Sequence, residues 1–89
     1  MKIVVLYRPD SEHETQINSF VREFSSRASD VKQPEMINVN TRDGWSLASL
    51  YDVVQYPAIL VLKDDGQLQK SFEGRQLPLV NEVVSYLRA

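Results

Sequence analysis

The sequence contains no cysteine among its 89 residues. This absence excludes disulfide bonds, thiolate metal ligands and catalysis by a thiol. Histidine and tryptophan each occur once, as His13 and Trp45. A metal ion needs several ligands that converge on one point, and no second cluster accompanies the lone histidine, so we expect no metal site.

The sequence also lacks an excess of one charge. Its formal net charge is -2, and its basic residues are interleaved with acids. No basic face for nucleic acid is therefore expected. The apolar runs are too short to span a bilayer, and the first run lacks the length and cleavage site of a signal peptide. We expect a cytoplasmic protein without nucleic-acid or membrane partners, and the hydrophobic fraction of 43% suits a single small domain over residues 1–89.

Two apolar stretches predict strands buried on both faces. The stretch from Ile3 to Tyr7 is rich in β-branched residues and has no helical period. The second follows Pro57 and reads Ala58-Ile59-Leu60-Val61-Leu62. A proline inside a central strand would remove a ladder hydrogen bond, so Pro57 should stand at the start of this strand.

A helix is predicted to follow the first strand. Ser11 and Glu14 have the spacing of a capping box, in which each side chain satisfies the other residue's backbone N–H. The helix should run to about Ala28. Its apolar stripe comprises residues spaced by three and four, namely Ile17, Phe20, Val21, Phe24 and Ala28.

The second half of the chain predicts two further strands and two further helices. Glu35–Asn40 is short and more polar, as expected of an edge strand. A short helix should follow, capped by Thr41 or Asp43. Asp64-Asp65-Gly66-Gln67 indicates a hairpin into a strand over residues 68–72. The side chains available for burial in the short helix are Trp45, Leu47, Leu50 and Tyr51. In the last helix Pro78 should occupy the first turn, and the stripe comprises Leu79, Val80, Val83, Val84 and Leu87.

The predicted order is β-α-β-α-β-β-α, an α/β arrangement. With a proline opening the third strand, it resembles the thioredoxin-like fold in its minimal, glutaredoxin-sized form. The segments that carry the resemblance are Val4-Val5-Leu6-Tyr7, Asn38-Val39-Asn40, Tyr51-Asp52-Val53, Tyr56-Pro57-Ala58-Ile59-Leu60, Lys63-Asp64-Asp65-Gly66-Gln67-Leu68 and Phe72-Glu73-Gly74. The resemblance implies a four-stranded mixed sheet in the order 2-1-3-4, flanked by three helices. It also implies a cis peptide bond before Pro57.

The family's catalytic motif is absent from this chain. In the resemblance, the Cys-x-x-Cys motif falls on residues 11–14, so Ser11 and Glu14 occupy degenerate active-site positions. The buried acid of thioredoxins falls on Val5. Thiol–disulfide exchange requires a thiolate that attacks sulfur, so we expect no oxidoreductase activity of that type.

Several residues have two interpretations. Ser11 is a helix cap, or it is the hydroxyl of a glutathione site as in some glutathione transferases; the acids at residues 10, 12 and 14 disfavour an anionic ligand there. His13 is a solvated surface residue, a general base or a metal ligand. Trp45 packs in the core, or it is a partly exposed anchor for a partner.

Tyr56 is the most informative of the candidate binding residues. In the family, the backbone of the residue before the cis proline pairs with an extended peptide or with glutathione. Backbone pairing does not depend on cysteine, so Tyr56 can retain the ability to pair with a peptide. In the alternative interpretation, Pro57 has only a structural role. We predict a groove between the loop Arg8–Glu14 and the turn at Tyr56 and Pro57. The residues expected along its rim are Tyr7, His13, Trp45 and Tyr56.

The function predicted from the sequence is a redox-inactive binding module without a cofactor. Its expected partner is a protein or extended peptide at the groove beside Tyr56. The alternative is a glutathione-binding or transferase-like enzyme that uses Ser11. We expect a monomer or a weak homodimer, the latter formed through the edge strand over residues 36–40.

Overall fold

The fold is built on one mixed β-sheet, seen in a computed structural model that describes residues 1–88. Its elements in chain order are β1 Lys2–Tyr7, α1 Glu14–Arg27, β2 Glu35–Asn38, α2 Arg42–Leu50, β3 Ala58–Leu62, β4 Leu68–Glu73 and α3 Val80–Arg88. The predicted order of elements is confirmed, and each boundary lies within a few residues of its predicted position.

The sheet has four strands in the order β2-β1-β3-β4. β1 is parallel to β2 and antiparallel to β3, and β3 is antiparallel to β4. The order 2-1-3-4 implied by the resemblance is thus confirmed, with β2 at an edge. Tyr7 lies opposite Asn38, and Leu6 lies opposite Ala58. The register therefore brings the C-terminal ends of β1 and β2 and the start of β3 to the same end of the sheet.

The two central strands are buried on both faces, as their uninterrupted apolar sequences predict. Successive side chains of a strand point to opposite faces, so β1 and β3 each contribute to two cores. On one face, Ile3 and Ile59 pack with Phe24 of α1 and Val83 of α3. The other core lies under α2 and contains Val4, Leu6, Leu60, Ala48 and Val53.

The start of α2 is fixed by one side chain and one glycine. The Thr41 hydroxyl oxygen accepts a hydrogen bond from the Gly44 N–H at 3.0 Å and donates to the Asn38 carbonyl oxygen at 2.7 Å. Thr41 is therefore the N-cap, and Asp43 is not. A Cβ on Gly44 would lie 2.0 Å from the Asn38 carbonyl oxygen, so only glycine permits this approach of α2 to the end of β2.

Three apolar side chains that the sequence predicted to be available for burial are instead exposed. Trp45 is 66% exposed, Leu50 is 70% exposed and Leu79 is 76% exposed. The buried residues of α2 are the small residues Gly44 and Ala48, and Leu47 packs partly against the same core. Trp45 and Leu50 lie on the solvent side of the helix. Interpreting Trp45 as a core residue is therefore wrong.

The last helix begins later than expected. α3 starts at Val80, so Leu79 precedes it, and its carbonyl oxygen accepts hydrogen bonds from the Glu82 and Val83 N–H groups. Pro78 accordingly lies before the first turn instead of within it. In the part of the chain described, none of the three helices has the length and apolar character needed to cross a bilayer.

Candidate functional site

The loop between β1 and α1 is held by hydrogen bonds among its own residues. Asp10 has a positive φ of 59°, the left-handed conformation that an aspartate tolerates better than most residues. The Ser11 hydroxyl donates to the Arg8 carbonyl oxygen at 2.6 Å. The Asp10 N–H donates to Glu14 Oε2 at 3.2 Å. These contacts give the loop a defined shape at the end of the sheet where β1 and β2 terminate.

The predicted capping box between Ser11 and Glu14 is not formed. α1 begins at Glu14 with His13 as N-cap residue, and no side chain caps it. The left-handed turn at Asp10 directs the Ser11 hydroxyl back toward Arg8, and it brings the Asp10 N–H to the Glu14 carboxylate. A hydroxyl carries one proton, so in this arrangement that of Ser11 is already donated to a carbonyl oxygen.

His13 accepts a hydrogen bond within the same loop. Its Nε2 atom lies 3.1 Å from the Arg8 backbone nitrogen, whose N–H donates to it. Partial burial and, next, the charge of Arg8 lower the pKa of His13 below its ordinary value, against an opposing effect of Glu14. The neutral imidazole that this bond requires is therefore favoured at neutral pH. Among residues 1–88, no three histidine, aspartate or glutamate side chains cluster as metal ligands.

The turn before β3 lies across the groove from this loop. Hydrogen bonds to residues at the end of β4 and just after it hold the turn in place. The peptide bond between Tyr56 and Pro57 is cis. Glu73 Oε1 accepts hydrogen bonds from the Val54 N–H at 3.0 Å and the Gln55 N–H at 3.4 Å. The Gly74 N–H donates to the Pro57 carbonyl oxygen at 3.0 Å.

The backbone of Tyr56 is left free by this arrangement. Within residues 1–88, no backbone hydrogen bond joins the Tyr56 N–H or its carbonyl oxygen to another residue of the chain. Tyr56 lies two residues before the first residue of β3, so these groups stand close to the start of a central strand. They are the kind of unpaired strand groups to which an extended peptide can pair.

A groove of about 480 Å³ separates the loop from the turn. Of the rim residues predicted, His13 and Tyr56 line it, together with Ser11. Tyr7 does not: it is half-buried against the core beneath α1 and α3. Trp45 is also outside the lining, on the solvent side of α2.

Pro57 and Glu14 occupy supporting positions near the groove. Pro57 is fully buried, so its ring lies in the core and not on the groove wall. Glu14 holds the loop through the Asp10 N–H and is absent from the lining. The groove thus lies between the loop and the turn, with His13 and Tyr56 among its lining residues and Tyr7, Trp45 and Glu14 outside it.

Arg8, Gln16 and Arg75 line the groove and were missed as site residues. Their interleaving with acids offered no reason to assign either arginine to a site. The Arg8 guanidinium carbon lies 5.1 Å from the centre of the Tyr56 ring, within the range of a cation–π contact. Gln16 Nε2 donates to the Arg75 carbonyl oxygen at 3.0 Å and so joins α1 to the segment after β4. The marker Phe72-Glu73-Gly74, placed beside the turn by the fold, was the signal that could have located Arg75.

Solved structures with a similar architecture include thioredoxins and a designed protein. Thioredoxin 1 from the thermophilic eubacterium Thermosipho africanus is 18% identical, with 99% of this chain and 96% of that one covered and a TM-score of 0.72. The designed protein is 17% identical, with 99% and 76% covered and a TM-score of 0.75. A thioredoxin from Thermus thermophilus is 24% identical, with 97% and 69% covered and a TM-score of 0.63.

These likenesses show a thioredoxin-like fold. The sequence matches no protein-family model, and no curated protein sequence is significantly similar to it. The chain therefore combines a thioredoxin-like fold with a sequence that has no cysteine.

Proposed function

We propose that this chain, a thioredoxin-like domain without cysteine, is a redox-inactive binding module for extended peptide segments. The peptide lies in the groove between the loop Arg8–Glu14 and the turn at Tyr56. The observation that carries the proposal is the pair of free backbone groups on Tyr56, a residue that lies two positions before a central strand and lines a groove of about 480 Å³.

Backbone pairing supplies the affinity in this proposal. An extended segment that aligns with Tyr56 accepts a hydrogen bond from its N–H and donates one to its carbonyl oxygen. Each such bond contributes about 0.5–1.5 kcal/mol, so the contact is weak unless side chains add to it. The geometry favours a peptide over a glutathione thiolate, because the Ser11 proton is already donated to the Arg8 carbonyl oxygen.

Amide chemical shifts test the proposal directly. The probe is a pool of N-acetylated pentapeptide amides, randomised at every position without cysteine or proline, because backbone pairing is common to all its members. We expect the amide signals of Ser11, Tyr56 and Ala58 to move on titration. The amide of Gly66, in the hairpin at the opposite end of β3, should stay in place.

A second titration separates the peptide interpretation from the enzyme interpretation. Glutathione at the same millimolar concentration should move these amides less than the peptide pool does. Shifts with glutathione and none with the peptide pool would overturn the proposal in favour of the glutathione-binding alternative that uses Ser11. No shift with either probe would leave the groove without the proposed ligand and would also contradict the proposal.

Glu73 provides a positioning variant with a matched control. Its carboxylate holds the turn through the Val54 and Gln55 N–H groups. Glu73→Ala should loosen the turn and weaken binding of the peptide pool. Glu82→Ala removes the same charge from an exposed site on α3 and should leave binding unchanged. Equal binding by the two variants would show that the turn does not position the ligand.

A further inference from the structure

Two arginines from different segments of the chain line the groove. Arg8 belongs to the loop after β1, and Arg75 belongs to the segment after β4. Both side chains are exposed to solvent. In the part of the chain described, neither guanidinium forms an ion pair with a carboxylate of the protein. The groove therefore offers two cationic groups that the fold itself does not neutralise.

Only one acid shares the lining with these arginines. Glu12 is exposed and lines the groove, whereas the Glu14 carboxylate accepts the Asp10 N–H outside it. Ser11 and Gln16 carry no charge, and the lowered pKa of His13 favours its neutral imidazole at neutral pH. The local charge thus has the opposite sign to that of the whole chain, whose net charge is -2.

We infer that the extended segment bound in this groove carries a carboxylate side chain, which Arg8 and Arg75 recognise. The inference rests on the proposed function, because it assigns the side-chain chemistry of the peptide that pairs with Tyr56. A guanidinium presents two parallel N–H donors that match a carboxylate, so arginine suits this ligand better than lysine would.

The position of Arg8 ties this recognition to the backbone pairing site. Its guanidinium carbon lies 5.1 Å from the centre of the Tyr56 ring, so the cation contacts the side chain of the residue with which the peptide is proposed to pair. Side chains of an extended segment alternate between two faces, so one residue in two points toward the groove wall.

The test compares three peptide pools that differ at one position. Each contains N-acetylated pentapeptide amides with glutamate, glutamine or lysine fixed at the centre and the other positions randomised without cysteine or proline. We expect the glutamate pool to bind about five-fold more tightly than the glutamine pool. This factor is at the upper end of the affinity gain that an exposed ion pair provides. The lysine pool should bind most weakly, and the preference should shrink at high salt.

Substitutions assign the preference to particular side chains. Arg8→Gln and Arg75→Gln should each reduce the ratio between the glutamate and glutamine pools toward one. Arg22→Gln removes the same charge from an exposed site on α1 outside the groove and should leave the ratio unchanged. An unchanged ratio in both groove variants, or an equal loss in the Arg22 variant, would overturn the inference.

The amide of Tyr56 separates failure of this inference from failure of the proposed function. If all three pools move that amide with equal affinity, backbone pairing stands and recognition of a carboxylate is refuted. If the glutamate pool binds through the arginines but leaves the Tyr56 amide unmoved, the proposed backbone pairing is refuted instead. Equal or tighter binding of S-methylglutathione, which carries two carboxylates, would assign the arginines to a small anion and would also refute the peptide.

Discussion

Replacing Gly44 by alanine is the sharpest perturbation that the structure offers. The new methyl carbon would lie 2.0 Å from the Asn38 carbonyl oxygen, 2.8 Å from the carbonyl carbon of Asn38 and 3.0 Å from the Thr41 hydroxyl oxygen. The first of these distances is far below any van der Waals contact, and the atom it meets belongs to the backbone. The start of α2 must therefore move away from the end of β2.

This movement strains the contacts that fix the helix start. The Gly44 N–H donates to the Thr41 hydroxyl oxygen at 3.0 Å, and the Thr41 hydroxyl and N–H donate to the Asn38 carbonyl oxygen at 2.7 Å and 3.2 Å. At about 0.5–1.5 kcal/mol each, losing the three costs about 1.5–4.5 kcal/mol. Alanine returns about 1 kcal/mol through its higher helix propensity. We expect a net loss of about 0.5–3.5 kcal/mol, a range that spans the cost of other overpacked sites.

Urea unfolding followed by far-ultraviolet circular dichroism measures this loss. For a domain of this size, each kcal/mol lowers the melting temperature by about 4–8 °C. Ser46→Ala introduces the same side chain at an exposed position of the same helix, and its stability should stay within about 0.5 kcal/mol of the wild type. A Gly44→Ala variant as stable as Ser46→Ala would show that α2 does not approach β2 as described.

Three further predictions concern the core, the cap and the loop. Phe24 is fully buried, so Phe24→Ala should lower the free energy of unfolding by about 3–5 kcal/mol in a urea titration; a loss below 1 kcal/mol would place it outside the core. Thr41→Ala should cost about 0.5–2 kcal/mol through loss of the α2 cap, and an unchanged melting temperature would contradict that assignment. Because folding lowers the pKa of His13, the unfolded chain binds its proton more readily. The His13 contribution to stability is therefore complete above the ordinary pKa of about 6.5 and is lost as pH falls through the lower, folded value. Urea unfolding of the wild type between neutral pH and about pH 5 should show this loss, and an equal loss in His13→Gln would assign it to other groups.

The central part of the fold was predictable because its sequence signals agree with one another. Two apolar runs without helical period predicted β1 and β3, and Pro57 predicted where β3 begins. Gly66 predicted the hairpin before β4, and in the structure it has a positive φ of 90°. These features are local in sequence, so they need no knowledge of what packs against them.

The errors arose where the outcome depends on the approach of distant elements. Ser11 and Glu14 satisfy the pattern of a capping box, but the left-handed conformation of Asp10 redirects both side chains. Trp45 is the largest apolar side chain of α2, yet the helix packs through Gly44 and Ala48 because they allow the closest approach. Side-chain size alone does not indicate which face of a short helix meets a sheet.

The groove was predictable in place but not in its chemistry. The resemblance to the thioredoxin-like fold brought the loop after β1 and the turn at Tyr56 together. Arg8 and Arg75 are separated by 67 positions in the sequence. Nothing in their neighbouring residues distinguishes them from other surface arginines. Only the register of the sheet and the bond from Gln16 to the Arg75 carbonyl oxygen bring them to one groove.

Hydrogen exchange at the Tyr56 amide tests the account most directly. Its N–H has no backbone partner within the described chain and should exchange rapidly in the free protein. Saturation with the pentapeptide pool that has glutamate at its centre should slow this exchange, while the amide of Gly66 is unaffected. Exchange at Tyr56 that stays equally fast at saturation would show that no peptide backbone pairs there, and the proposed binding function would be wrong.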